Sequence, residues 1–163
     1  MPVPLRAGEK RPAEPLLRVH RAAVVPAPVE KTFAFFADAA NLERLTPPWL
    51  RFSIRTPLPI DMGEGTIIDY RISLRGLPIA WRSRIEVWEP GVVFVDRQVI
   101  GPYLWWRHEH RFAPVHDGTL VVDDVEYMPR MRVFSRRLVQ RDLARIFDYR
   151  HQSLRRIFAH TPG

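Results

Sequence analysis

The sequence predicts an α+β domain in which a seven-stranded antiparallel sheet is covered by one long carboxy-terminal helix, with two short helices after the first strand. Three observations predict it. Seven runs rich in β-branched and aromatic residues are separated by short turns containing Gly or Pro, the pattern of an antiparallel meander. Residues 133–159 repeat apolar side chains at helical spacing, with Arg residues between them, as in a helix lying on a sheet. The stretch from Val29 to Leu45, between the first two runs, carries two shorter helical patterns with a proline pair behind them.

In chain order, residues 1–15 hold Pro2, Pro4, Pro12 and Pro15 among small and charged residues. No periodicity is present, and a mobile tail is expected before a single domain over residues 16–160. The first extended run, 16–25, stops at Pro26-Ala27-Pro28. Pro28 suits a first helical turn, and Val29, Phe33 and Phe36 recur at helical spacing. Asp38 is placed to cap a second short helix through Leu45, which Pro47-Pro48 ends. Four strands are expected at 49–56, 66–74, 78–88 and 92–99, then two more at 103–112 and 119–127.

The hairpin joined at Ile100-Gly101-Pro102 concentrates the unusual residues. Side chains on a strand alternate between faces, which places Leu104, Trp106, His108, His110 and Phe112 together. Tyr103, Trp105, Arg107, Glu109 and Arg111 fall on the other, mostly charged side, expected to face water. Two imidazoles on an apolar face need hydrogen-bond partners. The last helix has a similar irregularity: Val139, Leu143, Ile146, Phe147, Leu154, Ile157 and Phe158 form one stripe, and Arg150 interrupts it.

Composition narrows the function. The 163 residues are 46% hydrophobic and 26% charged, with no cysteine, which suits a soluble protein and rules out disulfides and thiolate metal sites. The net charge is +7, from 25 basic and 18 acidic residues, but the Arg residues are scattered and no basic-aromatic platform forms, so nucleic acid is not the expected partner. No apolar run has the length of a membrane span and no signal-peptide core precedes the domain, so a cytoplasmic location is expected. Common nucleotide, hydrolase and zinc-protease motifs are missing.

Each polar residue on an apolar face has a structural and a functional reading. His108 and His110 are two apart on a strand and offer two metal ligands, with a third to be sought at Asp123 or Glu126. Spacing does not fix that third ligand, and no metal and no cofactor are expected. General acid–base chemistry by a histidine with Asp123 is an alternative, as are histidines that bond each other, the backbone or a ligand. Arg150 either pairs with Asp69, Asp96 or Asp123 or anchors a ligand's anionic group. Tyr70, Trp81, Trp105, Trp106 and Tyr127 serve either as core or as the walls of a pocket.

Several stretches carry a resemblance to a known family. They are Val25-Pro26-Ala27-Pro28 before Phe33, Phe35 and Phe36; Asn41-Leu42, Leu45-Thr46-Pro47-Pro48-Trp49-Leu50; and Gly65-Thr66-Ile67-Ile68-Asp69-Tyr70. Trp81 with Ile85, Trp88-Glu89-Pro90, Asp96-Arg97-Gln98, Gly101-Pro102-Tyr103, Trp106-Arg107-His108-Glu109-His110, Asp123-Asp124-Val125-Glu126-Tyr127 and Ile146-Phe147-Asp148-Tyr149-Arg150 continue it. Over about residues 16–158 the chain resembles the START-like or Bet v 1-like (SRPBCC) superfamily, in particular bacterial polyketide cyclase/dehydrase-type ligand-binding proteins. The resemblance implies a helix-grip fold, a curved sheet wrapped around the long helix, with a cavity for a hydrophobic or amphipathic ligand. The candidate ligand-binding residues are Tyr70, Trp81, Trp106, His108, His110, Asp123, Tyr127, Phe147 and Arg150. A cyclase, aromatase or dehydratase using His108, His110 and Asp123, with Arg150 holding a substrate anion, is the alternative. A protein-interaction module using the basic outer face of the last helix is a third.

Overall fold

The structure is a computed structural model and describes residues 3–5, 8–130 and 136–159. Seven strands form one antiparallel sheet: β1 (Leu17–Val25), β2 (Ser53–Ile54), β3 (Ile67–Leu74), β4 (Leu77–Glu89), β5 (Val93–Ile100), β6 (Tyr103–Val115) and β7 (Gly118–Pro129). Their order in the sheet is β1-β7-β6-β5-β4-β3-β2. Strands β2 to β7 thus form a meander, and β1 closes on the far side of β7. Helices α1 (Val29–Ala37) and α2 (Leu42–Leu45) follow β1, and α3 (Arg136–Ala159) runs along the concave face. The first three residues of the helix expected over 133–159 lie outside the described residues.

Local chemistry accounts for most boundaries. A turn of tighter helix at Ala39–Asn41 precedes α2, and Asp38 Oδ1 accepts from the Ala40 amide at 3.0 Å, the cap expected there. Between β3 and β4, Arg75-Gly76 has positive φ at both residues, the two-residue turn whose twist matches a hairpin. Gly118 opens β7 at φ +137°, and a Cβ there would stand 2.0 Å from the Val25 carbonyl oxygen. Only glycine lets β7 start that close to the end of β1.

Three expectations are corrected. The strand expected over 49–56 reduces to Ser53–Ile54, because Pro48–Leu50 forms a helical turn and Arg51 takes left-handed backbone at φ 45°. Leu104 does not share the inner face: it is 56% exposed. A register irregularity between Tyr103 and Trp105 against β7 shifts the alternation by one, so Tyr103 points inward in its place. The charged face of β6 does not meet water either, since Trp105, Arg107 and Glu109 are buried. The amino-terminal segment covers them: the Val3 amide donates to Glu109 Oε2 at 3.0 Å, Arg107 donates to the Val3 carbonyl at 3.0 Å, Glu9 pairs with Arg97 and Arg11 with Glu126.

Further irregularities in β4, at Arg82/Ser83 and Ile85/Val87, add local twist. Packing under the concave face divides into two apolar clusters. One gathers Phe33, Phe36, Phe94, Phe112, Leu154 and Phe158; the other gathers Trp81, Tyr103, Trp106, Tyr127, Leu143 and Phe147. As the stripe on α3 predicts, Leu143, Phe147 and Leu154 are buried against the sheet. Polar side chains occupy the ground between the clusters.

Candidate functional site

Those polar groups come from four elements. Alternation on β6 turns His108 and His110 inward between Trp106 and Phe112, β5 brings Asp96 two residues after Phe94, and β7 brings Asp123. The register sets His108 opposite Asp96 and His110 opposite both Phe94 and Asp123. Helix α3 supplies Arg150 and His151.

Asp123, with no exposed surface, is the centre of the cluster. Its Oδ1 lies 2.8 Å from His108 Nε2 and 3.0 Å from His110 Nδ1; its Oδ2 lies 2.7 Å from His151 Nε2 and 3.1 Å from Arg150 Nε. Four donors fill the roughly four acceptor sites of a carboxylate. Burial alone would raise the Asp123 pKa, but the Arg150 charge and the three imidazole hydrogen bonds outweigh it and hold the carboxyl well below its usual range. Burial, with His110 alongside, lowers His108 to about 4 against the pull of both aspartates, so this imidazole is neutral near pH 7. Asp96 is held low in spite of its burial, chiefly by the His110 hydrogen bond, with the Arg150 charge adding to it.

Ring packing fixes the imidazoles further. The His108 and His110 centroids are 3.6 Å apart, and Phe94 stacks on His110 at 4.0 Å with 17° between planes. Arg150 lies over the Phe36 ring, with Nη2 3.4 Å from His110 Nδ1.

Beside the cluster is a cavity of about 170 Å³ between the sheet, α3 and the short helices. Tyr70, Trp81, Trp106, His108, His110, Phe147 and Arg150, all singled out from the sequence, line it. Asp123 sits behind the histidines, and Tyr127 is buried outside the lining, its hydroxyl without a hydrogen-bond partner among the described residues. Asp69 pairs with Arg82 on the sheet surface, leaving Asp123 as the carboxylate that Arg150 meets. On one wall Trp81 Nε1 donates to Ser83 Oγ at 3.0 Å, and the Tyr70 hydroxyl lies 3.3 Å from the same oxygen. Burial pushes the Tyr70 pKa well above its usual value, so the phenol keeps its proton.

Sequence reasoning named Asp96 only as a possible partner for Arg150 and passed over His151. Both were legible. Asp96 shares the face of Phe94 by alternation, and His151 falls four residues after Phe147 on the buried stripe of α3. Imidazoles in defined orientation, a guanidinium and a carboxylate on the wall of a largely aromatic cavity can orient a polar ligand group or exchange a proton with it.

The sheet gripping α3, with the cavity between them, makes up a helix-grip fold. Residues 23–158 match the family described as Domain of unknown function (DUF8410), and the chain belongs to it. A search of the curated proteins finds no match. Among solved structures, the chain is similar to the Zhui aromatase/cyclase from Streptomyces sp. R1128, with TM-score 0.68 and 17% identity over 85% of this chain and 91% of that one. It is also similar to a START superfamily protein from Mycobacterium smegmatis, with TM-score 0.69 and 11% identity over 87% and 97% of the two chains. Ara h 8.0201 aligns with TM-score 0.63 and 12% identity over 90% of this chain and all of its own. At such identities the likeness is one of fold.

Proposed function

We propose that the protein binds a small hydrophobic or amphipathic molecule, its apolar body between the sheet and α3 and a polar or anionic group at Arg150, His108 and His110. One observation carries this reading: the cavity walls are mostly aromatic and aliphatic, and the linked side chains of Asp96, His108, His110 and Arg150 open onto them. Ligand sites combine apolar burial with a few placed polar groups in this way. Similarity to an aromatase/cyclase and a START superfamily protein supports the same class of ligand. Native mass spectrometry of freshly purified protein tests it by seeking a co-purified small molecule. Saturable change of Trp fluorescence with a panel of amphipathic aromatic compounds is the second test, since Trp81 and Trp106 line the cavity. If no compound gives a saturable response and nothing co-purifies, the reading fails.

A second reading is catalysis of the cyclase, aromatase or dehydratase type on a polyketide-like substrate. It is favoured by the Asp123 contacts that orient His108 and His110 toward the cavity, the arrangement an acid–base imidazole requires. Turnover of poly-β-ketone mimics, absent in His110→Ala, distinguishes an enzyme from a binder.

A further inference from the structure

His108 and His110 lie between two carboxylates. At one end both rings meet Asp123 Oδ1; at the other, His108 Nδ1 lies 3.6 Å and His110 Nε2 2.8 Å from Asp96 Oδ2. A neutral imidazole has one N–H. His108, whose Nε2 meets Asp123, turns its Nδ1 toward the Asp96 oxygen, and His110 meets the same oxygen through Nε2, so both rings present a nitrogen to one carboxylate. A proton on His110 Nε2 fills only the shorter gap. A divalent ion fills both.

We propose that Asp96, His108 and His110 form a mononuclear site for a divalent transition metal on the wall of the cavity. The ligand atoms are His108 Nδ1, His110 Nε2 and the Asp96 carboxylate, within 4.8 Å of one another. Ligands about 2.1 Å from one ion and at right or tetrahedral angles stand about 3.0–3.4 Å apart, a spacing that the 2.8 and 3.6 Å separations bracket. Asp123 completes the design, because metal-bound histidines characteristically donate their second N–H to a carboxylate. Two imidazoles and a carboxylate suit zinc(II), iron(II) or cobalt(II). The sequence pointed away from this site because the third ligand was sought on β7 or not at all, whereas it comes from β5, the other neighbour of β6. Since all three residues line the cavity, coordination positions remain on that side. If the ligand reading above holds, an anionic oxygen of the ligand, carboxylate or enolate, occupies them and balances the added charge.

The test uses the full chain and the ion alone, so it is independent of the organic ligand. Protein stripped with chelator is titrated with cobalt(II), followed by visible absorption and calorimetry. One equivalent is expected to bind saturably with a d–d band. Asp96→Asn and His108→Ala are expected to weaken binding about tenfold or more, while His20→Ala and His116→Ala, at exposed positions, bind as wild type. Melting curves accompany each variant; if His108→Ala does not fold, Asp96→Asn, which keeps the shape of the side chain, decides. The absence of saturable binding at millimolar cobalt(II), or wild-type affinity in Asp96→Asn, overturns the proposal.

Discussion

Arg150 reaches the sheet at Asp123, and both groups are almost entirely withdrawn from water. Breaking a buried pair from one side is costly because the other charge is left without its partner. Arg150→Leu is therefore expected to lower stability by about 3–5 kcal/mol in urea unfolding; a change within error would show that the three imidazoles alone satisfy Asp123. The neighbouring histidine gives a pH dependence. Burial holds His108 down at about 4 in the folded, metal-free chain, against about 6.5 when unfolded. Between those values the unfolded chain binds more protons, so stability rises with pH across the window and falls on acidification, by roughly 3 kcal/mol in all. Asp96 and Asp123 act at lower pH: their pKa values are depressed by folding, so their contribution is present above about 4 and is lost as pH falls through the folded values. Urea melts at intervals from neutral to acid pH check this; a flat profile between about pH 6.5 and 4 would show that His108 is not a neutral buried ring.

At the scale of elements, α3 and β6 show why some of the site was legible and some was not. The stripe on α3 placed Leu143, Phe147, Leu154 and Arg150 on the buried face from spacing alone, because a 3.6-residue period has one inward side. Alternation did the same for Trp106, His108 and His110. It failed at Leu104, since the irregularity beside Tyr103 depends on pairing with β7, a partner strand that local pattern does not describe. It also failed for Arg107 and Glu109, whose burial depends on the amino-terminal segment lying across them. Asp123 could be listed as a candidate, but its role as a hub for four donors required β6, β7 and α3 to be in register. The packing argument yields its own prediction. Leu154 is fully buried in the Phe-rich cluster, while Ile146 is half-buried beside the cavity. Leu154→Ala is expected to cost about 2–5 kcal/mol and Ile146→Ala less, because truncation beside an existing void loses fewer contacts; reversal of that order in thermal or urea unfolding would contradict the assignment of the two clusters.

For the whole molecule, the amino-terminal segment and the sheet are joined through charge: Glu9 with Arg97, Arg11 with Glu126, and Val3 with Arg107 and Glu109. Salt screens the exposed pairs, so proteolysis between Gly8 and Pro15 is expected to accelerate with ionic strength while the sheet stays intact; a rate independent of salt would show that packing, not charge, holds the segment. The sheet order has a different consequence, in time. Arg18 and Asp124 pair across 106 residues, because β1 lies beside β7, and such non-local closure is intrinsically slow. Among the elements described, β1 is synthesised first and α3 last. Before α3 is made, neither Arg150 nor His151 is there to meet Asp123. Two of the four partners of Asp123, Arg150 and His151, are therefore the last groups of the cluster to be synthesised, and the closing of the polar centre waits on α3.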